Sequence, residues 1–256
     1  MPYRRVAILL SGLLVLGGCS QMERARDWLP VAGSRKAKST PTNPIELAGP
    51  PVKVGPQEKM GVQLALARSL EKQGKDDEAI RVYRDAIQKH GDRDEAIHRL
   101  AVLCDKQGRS QEAADYFAKA LKMAPDNATL HCDVGYSHYL RGQWNEAFVH
   151  LNRALAIQPE YQRAHINMGM LLARTGRPAE AFAAFRRAGC SPSQAHANIG
   201  YASAFASQWQ DSEHHFALAL ADDPENAQAR RGRQMVVALA KNTNTTNPAR
   251  DLQITR

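Results

Sequence analysis

Alanine and glycine recur along the middle of this chain with a period of 34 residues. Ala79, Ala113, Ala147 and Ala181 form one series, and Ala86, Ala120, Ala154 and Ala188 a second. Gly74, Gly108, Gly142 and Gly176 form a third. A fixed period of this size marks a stack of equivalent supersecondary units, none of which buries its apolar face alone. Each unit reads as a helix, a glycine turn, a second helix and then a proline or glycine break. The fold class predicted is therefore all-α, an α-solenoid of five helix pairs at 60–93, 94–127, 128–161, 162–192 and 193–226. Residues 227–241 add a last amphipathic helix, with Val236, Val237, Leu239 and Ala240 covering the stack and Arg230, Arg231 and Arg233 facing water as a solvating cap.

The pattern is steric. Small residues such as Ala113, Gly135 and Gly169 stand where two helices of a unit come closest, and Tyr83, Phe117, Phe185 and Phe216 fill the gap toward the next unit. Glycine at the turn accepts a left-handed backbone. Pro125, Pro159 and Pro224 stop second helices, and Pro178 opens one, where its missing N–H costs nothing. In the second unit Leu100, Ala101, Gly108, Ala113, Phe117, Ala120 and Pro125 fall on one motif. The third unit supplies Val134, Gly135, Gly142, Ala147, Ala154 and Pro159, and the fourth Met168, Gly169, Gly176, Ala181, Phe185 and Ala188. These residues resemble the tetratricopeptide repeat (TPR) family over residues 60–226. The first unit departs at Gly91 and Gln63, as expected of an edge unit, and the fifth arrives three residues early around Gly189, Cys190, Ser191 and Pro192. That deletion predicts a shortened second helix in the fourth unit.

The N-terminus carries a different message. Arg4 and Arg5 precede an apolar run from Val6 to Leu16 that is too short to span a bilayer, as in a secretory signal. The tetrapeptide Leu16-Gly17-Gly18-Cys19 resembles the lipobox of bacterial lipoproteins. The resemblance implies a signal peptide at 1–18 and a lipid-modified Cys19 as the first mature residue, with enough acyl chains for stable attachment. The residue-level alternatives are an ordinary signal cleaved nearby or an uncleaved anchor. Ser20 rather than Asp after the cysteine implies, by the enterobacterial sorting pattern, the periplasmic face of the outer membrane. Residues 19–59 read as lipidated N-terminus and Pro-rich tether, with Pro30, Pro41, Pro44, Pro50, Pro51 and Pro56. In polyproline geometry such a tether reaches up to roughly 90 Å from the membrane. Residues 242–256, rich in Asn and Thr, read as a disordered tail.

The formal charge of +8 falls to +6 once Arg4 and Arg5 are removed with the signal. Export makes nucleic acid an unsuitable partner; attraction to anionic headgroups, an acidic partner or simple solvation account for the charge. No phosphate-binding glycine loop, nucleophile elbow or HExxH motif is present, so neither catalysis, a cofactor nor a small-molecule substrate is expected. His131, His165 and His196 share the fourth position of successive first helices, about 8–10 Å apart, too far to share a zinc ion, and are expected to pack. His214 and His215 point to different faces. Cys104 and Cys132 are expected as buried hydrophobes, and Cys190, if exposed, as an intermolecular disulfide partner.

In the TPR family the inner face is built from defined first-helix positions. Here those positions give Arg99, Tyr136, Tyr139, Arg163, Asn167, Met170, Asn198, Tyr201 and Phe205 as candidate protein- or peptide-binding residues. Asn167 and Asn198 occupy equivalent places, where an amide offers both donor and acceptor to a peptide backbone, or is simply the family's habitual residue. Tyr136, Tyr139, Met170, Tyr201 and Phe205 supply aromatic and thioether anchors, and Arg163 and Arg174 suit an acidic group or a terminal carboxylate. The expected function is a membrane-anchored periplasmic scaffold that holds a protein or peptide partner, assisting an envelope assembly such as a pilus or secretin. The alternative is an accessory or regulatory subunit of a cell-wall enzyme.

Overall fold

The structure, a computed structural model, describes residues 55–245. Among the described residues there are eleven α-helices and no strand. The five predicted pairs are α1 (Pro56–Lys72) with α2 (Asp76–His90), α3 (Asp94–Lys106) with α4 (Ser110–Met123), α5 (Ala128–Leu140) with α6 (Trp144–Ile157), α7 (Gln162–Arg174) with α8 (Pro178–Arg187), and α9 (Pro192–Phe205) with α10 (Trp209–Asp222). The cap is α11 (Ala227–Thr245). The helices fall into two compact bodies divided between Asp126 and Asn127. Repeats one and two make the first, and repeats three to five with the cap make the second.

Each turn within a pair is built alike. Gly74, Gly108, Gly142 and Gly176 hold φ between +73° and +78°. Behind each, the next amide reaches back to a carbonyl five residues earlier: Lys75 to Leu70, Arg109 to Cys104, Gln143 to His138 and Arg177 to Leu172. This closes the preceding helix and is the reason for glycine at that step. Repeat five makes the same closure from Gln208 to Ser203, but with Ser207 at φ +59°, in a region that a side chain disfavours. Second helices end as the prolines require, α4, α6 and α10 each stopping two residues before Pro125, Pro159 and Pro224. The three-residue deletion appears where expected: α8 has 10 residues against 14 in α4, α6 and α10. Ser191 then caps α9 by accepting from the Gln194 amide, while the Gln194 side chain accepts from the Ser191 amide.

Close helix approach runs through glycine as predicted, with one correction. The large residues do not simply face the following unit. A Cβ at Gly169 would stand 2.9 Å from the Phe185 ring, and one at Gly200 2.9 Å from the Phe216 ring, so each ring packs on the first helix of its own pair. Phe216 also meets Gly232 of the cap, which fits the original expectation.

Two boundaries and one buried position differ from the sequence reading. The first helix starts at Pro56, inside the stretch assigned to the tether, because proline at the first helical position needs no donor. The cap continues to Thr245 and takes the first residues assigned to the tail; 246–256 lie outside the described residues, as do 1–54 with Cys19. Finally, Val236 is fully buried, but Val237 lies half-exposed in a groove between α10 and α11. No helix of the described residues is long and apolar enough to cross a membrane.

Candidate binding face

In the first body, Arg99 of α3 is committed to its own fold. Its guanidinium meets the Glu71 carboxylate of α1, and the Tyr83 hydroxyl donates to the same carboxylate at 2.6 Å. Glu71 is well shielded, so Arg99 acts as a buttress between α1 and α3 and not as an open contact. Arg99 thus stands in the expected partner-binding set as a part-exposed residue already engaged by Glu71.

In the second body the candidate residues separate into a floor and a wall. The floor is polar and largely engaged, although the buried Arg163 Nε has no hydrogen-bond partner. Arg163 of α7 pairs with Asp133 of α5 at 2.5 Å, and Asn167 donates to the Cys132 thiol at 3.3 Å. Burial pushes that thiol up to about 11. Asn167 is 9 % exposed, so at most one end of its amide serves a ligand. Asn198 is half-buried on α9, and Met170 is half-buried against the core.

The wall is aromatic and centres on a residue outside the expected set. Tyr136 and Tyr139 stack at 6.0 Å, Tyr139 meets Trp144 at 5.7 Å, and Trp144 faces the Arg174 guanidinium at 5.9 Å. On its other side Arg174 lies 5.8 Å from the Phe205 ring. Repeats three, four and five thus supply one continuous run, with a cation held between two π faces. Tyr136, Trp144, Arg174 and Phe205 are all part-exposed. Tyr139 is the most enclosed, and burial pushes its hydroxyl up to about 12. Trp144 escaped the sequence reading because it opens a second helix, and only its position two residues after the Gly142 turn marks it as near the first-helix face.

Tyr201 is corrected outright. It is 7 % exposed, packs edge-on to Phe216 at 4.9 Å and donates its hydroxyl to the Gln228 carbonyl of the cap at 2.9 Å. Cys190 is buried as well and so lacks the exposure that the expected intermolecular pairing needs.

The histidines pack as expected, and two of the three do so in an unforeseen way. His131 of α5 meets His150 of α6 through their Nδ1 atoms at 3.1 Å, and His196 of α9 meets His215 of α10 likewise at 3.2 Å. His165 in repeat four has Ala184 at the matching second-helix position and bonds the Pro159 carbonyl instead, at 2.7 Å. Among the described residues no three His, Cys, Asp or Glu side chains converge as a metal site.

Residues 64–128 match a family model described as tetratricopeptide repeat, and residues 135–176 one described as TPR repeat. No curated protein sequence matches the chain. Solved structures with a similar fold include YrrB, described as a TPR protein with an unusual peptide-binding site (22 % identity, 67 % of this chain and 90 % of that one, TM-score 0.51). A tetratricopeptide repeat protein from Parabacteroides merdae is 18 % identical over 73 % of this chain and 76 % of its own, with TM-score 0.56. Pseudomonas aeruginosa pilF is 18 % identical over 75 % and 95 %, with TM-score 0.54.

Proposed function

The chain is a tetratricopeptide-repeat protein, of a family whose members generally serve as protein-interaction scaffolds, and we propose that its second body holds a protein or peptide partner on the face that carries Tyr136, Trp144, Arg174 and Phe205. The observation that carries this reading is Arg174. It is the one arginine placed between two aromatic rings, and no salt bridge or hydrogen bond engages it within the described residues. A guanidinium so placed offers its edge to a carboxylate or a backbone carbonyl while the rings supply apolar contact area. Arg163 lies nearby in sequence on the same helix but is already neutralised by Asp133.

The cellular setting we propose follows from the sequence alone: attachment through lipid-modified Cys19 to the periplasmic leaflet of the outer membrane, with residues between the anchor and Pro56 as spacer. In that setting the partner belongs to an envelope assembly such as a pilus or secretin. Metabolic labelling with palmitate tests the anchor: label present in the wild type and absent from Cys19→Ser supports it, and equal labelling refutes it.

For the face, a photoreactive residue placed at Tyr136 or Phe205 in intact cells should give one dominant crosslinked protein, lost on Arg174→Ala. Recovery of pilus or secretin components supports the assembly reading. Recovery of wall hydrolases moves the protein to the accessory-subunit alternative. Crosslinks only to residues 246–256 of the chain itself, or none, overturn the partner-binding reading.

A further inference from the structure

The two histidine pairs share more than a distance. In each, the partners are 19 residues apart, one on the first helix and one on the second helix of the same repeat. The ring centres stand 5.3 Å and 5.4 Å apart, against Nδ1 separations of 3.1 Å and 3.2 Å. The difference of about 2.2 Å is roughly two imidazole radii, so centre, nitrogen, nitrogen and centre lie nearly on one line. Two lone pairs meeting head-on leave no room for a metal, since two bonds of about 2.0–2.1 Å on that line would need roughly 4 Å between the nitrogens. The arrangement fits one proton: Nδ1–H of one ring donating to the bare Nδ1 of the other.

We propose that these pairs are proton-operated latches, which fasten the two helices of repeats three and five at neutral pH and open when acid places a proton on both facing nitrogens. The proton accounting is direct. In the neutral pair, one ring carries hydrogen on Nδ1 and the other on Nε2. A first added proton goes to the unprotonated Nε2 of the donor ring, and the resulting imidazolium donates a stronger, charge-assisted bond. A second must occupy the accepting Nδ1 itself. Two N–H groups then face each other, two positive charges stand at contact distance, and the bond between the helices is gone.

The surroundings resist that second proton. Burial, followed by the neighbouring His131 and His138 of α5, pushes His150 down to about 4. Burial, then His196 and His214, pushes His215 down to about 4, with Asp211 of α10 pulling the other way. His196 is lowered by burial and by His214 and raised by Asp222. Among the described residues, the charged neighbours that shift His150 lie on α5, and those that shift His215 lie on α9 and α10. His138 stacks on His150 at 5.5 Å and meets the Gln143 amide oxygen at 2.8 Å, which fixes its ring beside the pair. Phe182 of α8 closes on His196 at 4.7 Å.

The sign follows from linkage. Between about pH 6.5 and 4 the unfolded imidazoles take up protons that the folded ones refuse, so stability falls as pH falls through that window. From pH 7 to 5, a pKa of about 4 against the usual 6.5 raises the unfolding constant up to roughly 20-fold per imidazole, and half-exposed rings deliver several-fold less. The latched helices α5 and α9 also carry Tyr136 and Phe205, so opening would loosen the proposed face; that consequence rests on the proposed function, whereas the latch does not.

Side-chain 15N NMR of the full chain, titrated from pH 7.5 to about 4, reads tautomer and protonation without any substitution. Two imidazoles locked in opposite tautomers within each pair, with His150 and His215 titrating well below the usual histidine range, are the expected result. Ordinary titration with freely exchanging tautomers at these rings overturns the proposal. As a second measurement, the melting temperature of the His150→Phe/His215→Phe chain should depend less on pH than that of the wild type. An unchanged pH dependence overturns it equally.

Discussion

Replacing glycine by alanine at two helical positions should move stability in opposite directions, because only one of them has room. Gly61 on α1 has nothing within 4 Å of where a Cβ would stand. There Gly61→Ala collects the helix-propensity gain of about 0.8–1 kcal/mol. Gly232 on α11 collects the same gain, but its new Cβ would lie 2.3 Å from Cζ and 2.5 Å from Cε1 of Phe216. Carbon atoms rest at about 3.5–4.0 Å, so the ring must retreat by more than 1 Å. Its retreat is hindered, since Phe216 is fully buried, already lies against Gly200 and has Tyr201 packed edge-on to it. Overpacking of this kind costs about 1–3 kcal/mol. With the upper end of that range and the propensity gain subtracted, Gly232→Ala should lose about 2 kcal/mol net. At about 2–4 °C per kcal/mol for a domain of this size, that is a melting-temperature drop of about 4–8 °C, against a rise of about 2–4 °C for Gly61→Ala. Circular dichroism on both variants measures it, with Trp209 fluorescence reporting on the second body. Phe216→Leu in the Gly232→Ala background should restore part of the loss, a coupling that a double-mutant cycle isolates. A Gly232→Ala chain as stable as Gly61→Ala would refute the steric account of how the cap seats on repeat five.

Two further substitutions test other joints. Ser207→Gly removes the side chain that holds a positive φ in the repeat-five turn and should raise the melting temperature, with a gain of about 1 kcal/mol; no change would mean that the serine bears no strain. Tyr201→Phe removes the hydroxyl's bond to the Gln228 carbonyl and should cost about 1 kcal/mol, read as faster amide exchange in α11, while crosslinking from Phe205 stays as it was; lost crosslinking at unchanged stability would put Tyr201 back on the binding face.

The period carried most of the fold, because every copy repeats the same steric solution. Alanine at 79, 113, 147 and 181 is fully buried in each case, and each turn glycine has the left-handed backbone that its position demanded. The site was less legible, for reasons of direction. First-helix positions mark which residues start toward the inner face, but not what meets them there. Tyr201 is claimed by a carbonyl 27 residues later, Arg99 by a carboxylate 28 residues earlier, and Asn167 by a thiol 35 residues earlier. Each partner sits on a neighbouring repeat or on the cap, outside the unit whose positions the period describes. Trp144 and the histidine pairs were hidden for a second reason, since they join a first helix to a second helix, whose inward-leaning positions differ from repeat to repeat.

The four residues missing from α8, relative to its counterparts, set a limit on how this chain can change by duplication. Four residues are about 6 Å of helix, and a three-residue shift turns every downstream position by most of a revolution. An unequal exchange that copies the block from Ala128 to Tyr161 preserves phase, and each new first helix presents its residues to the same side. A crossover that lengthens α8 to match would shift α9 against repeat four and pull Phe205 away from Arg174. Repeats four, five and the cap are therefore locked in phase with one another by the short α8.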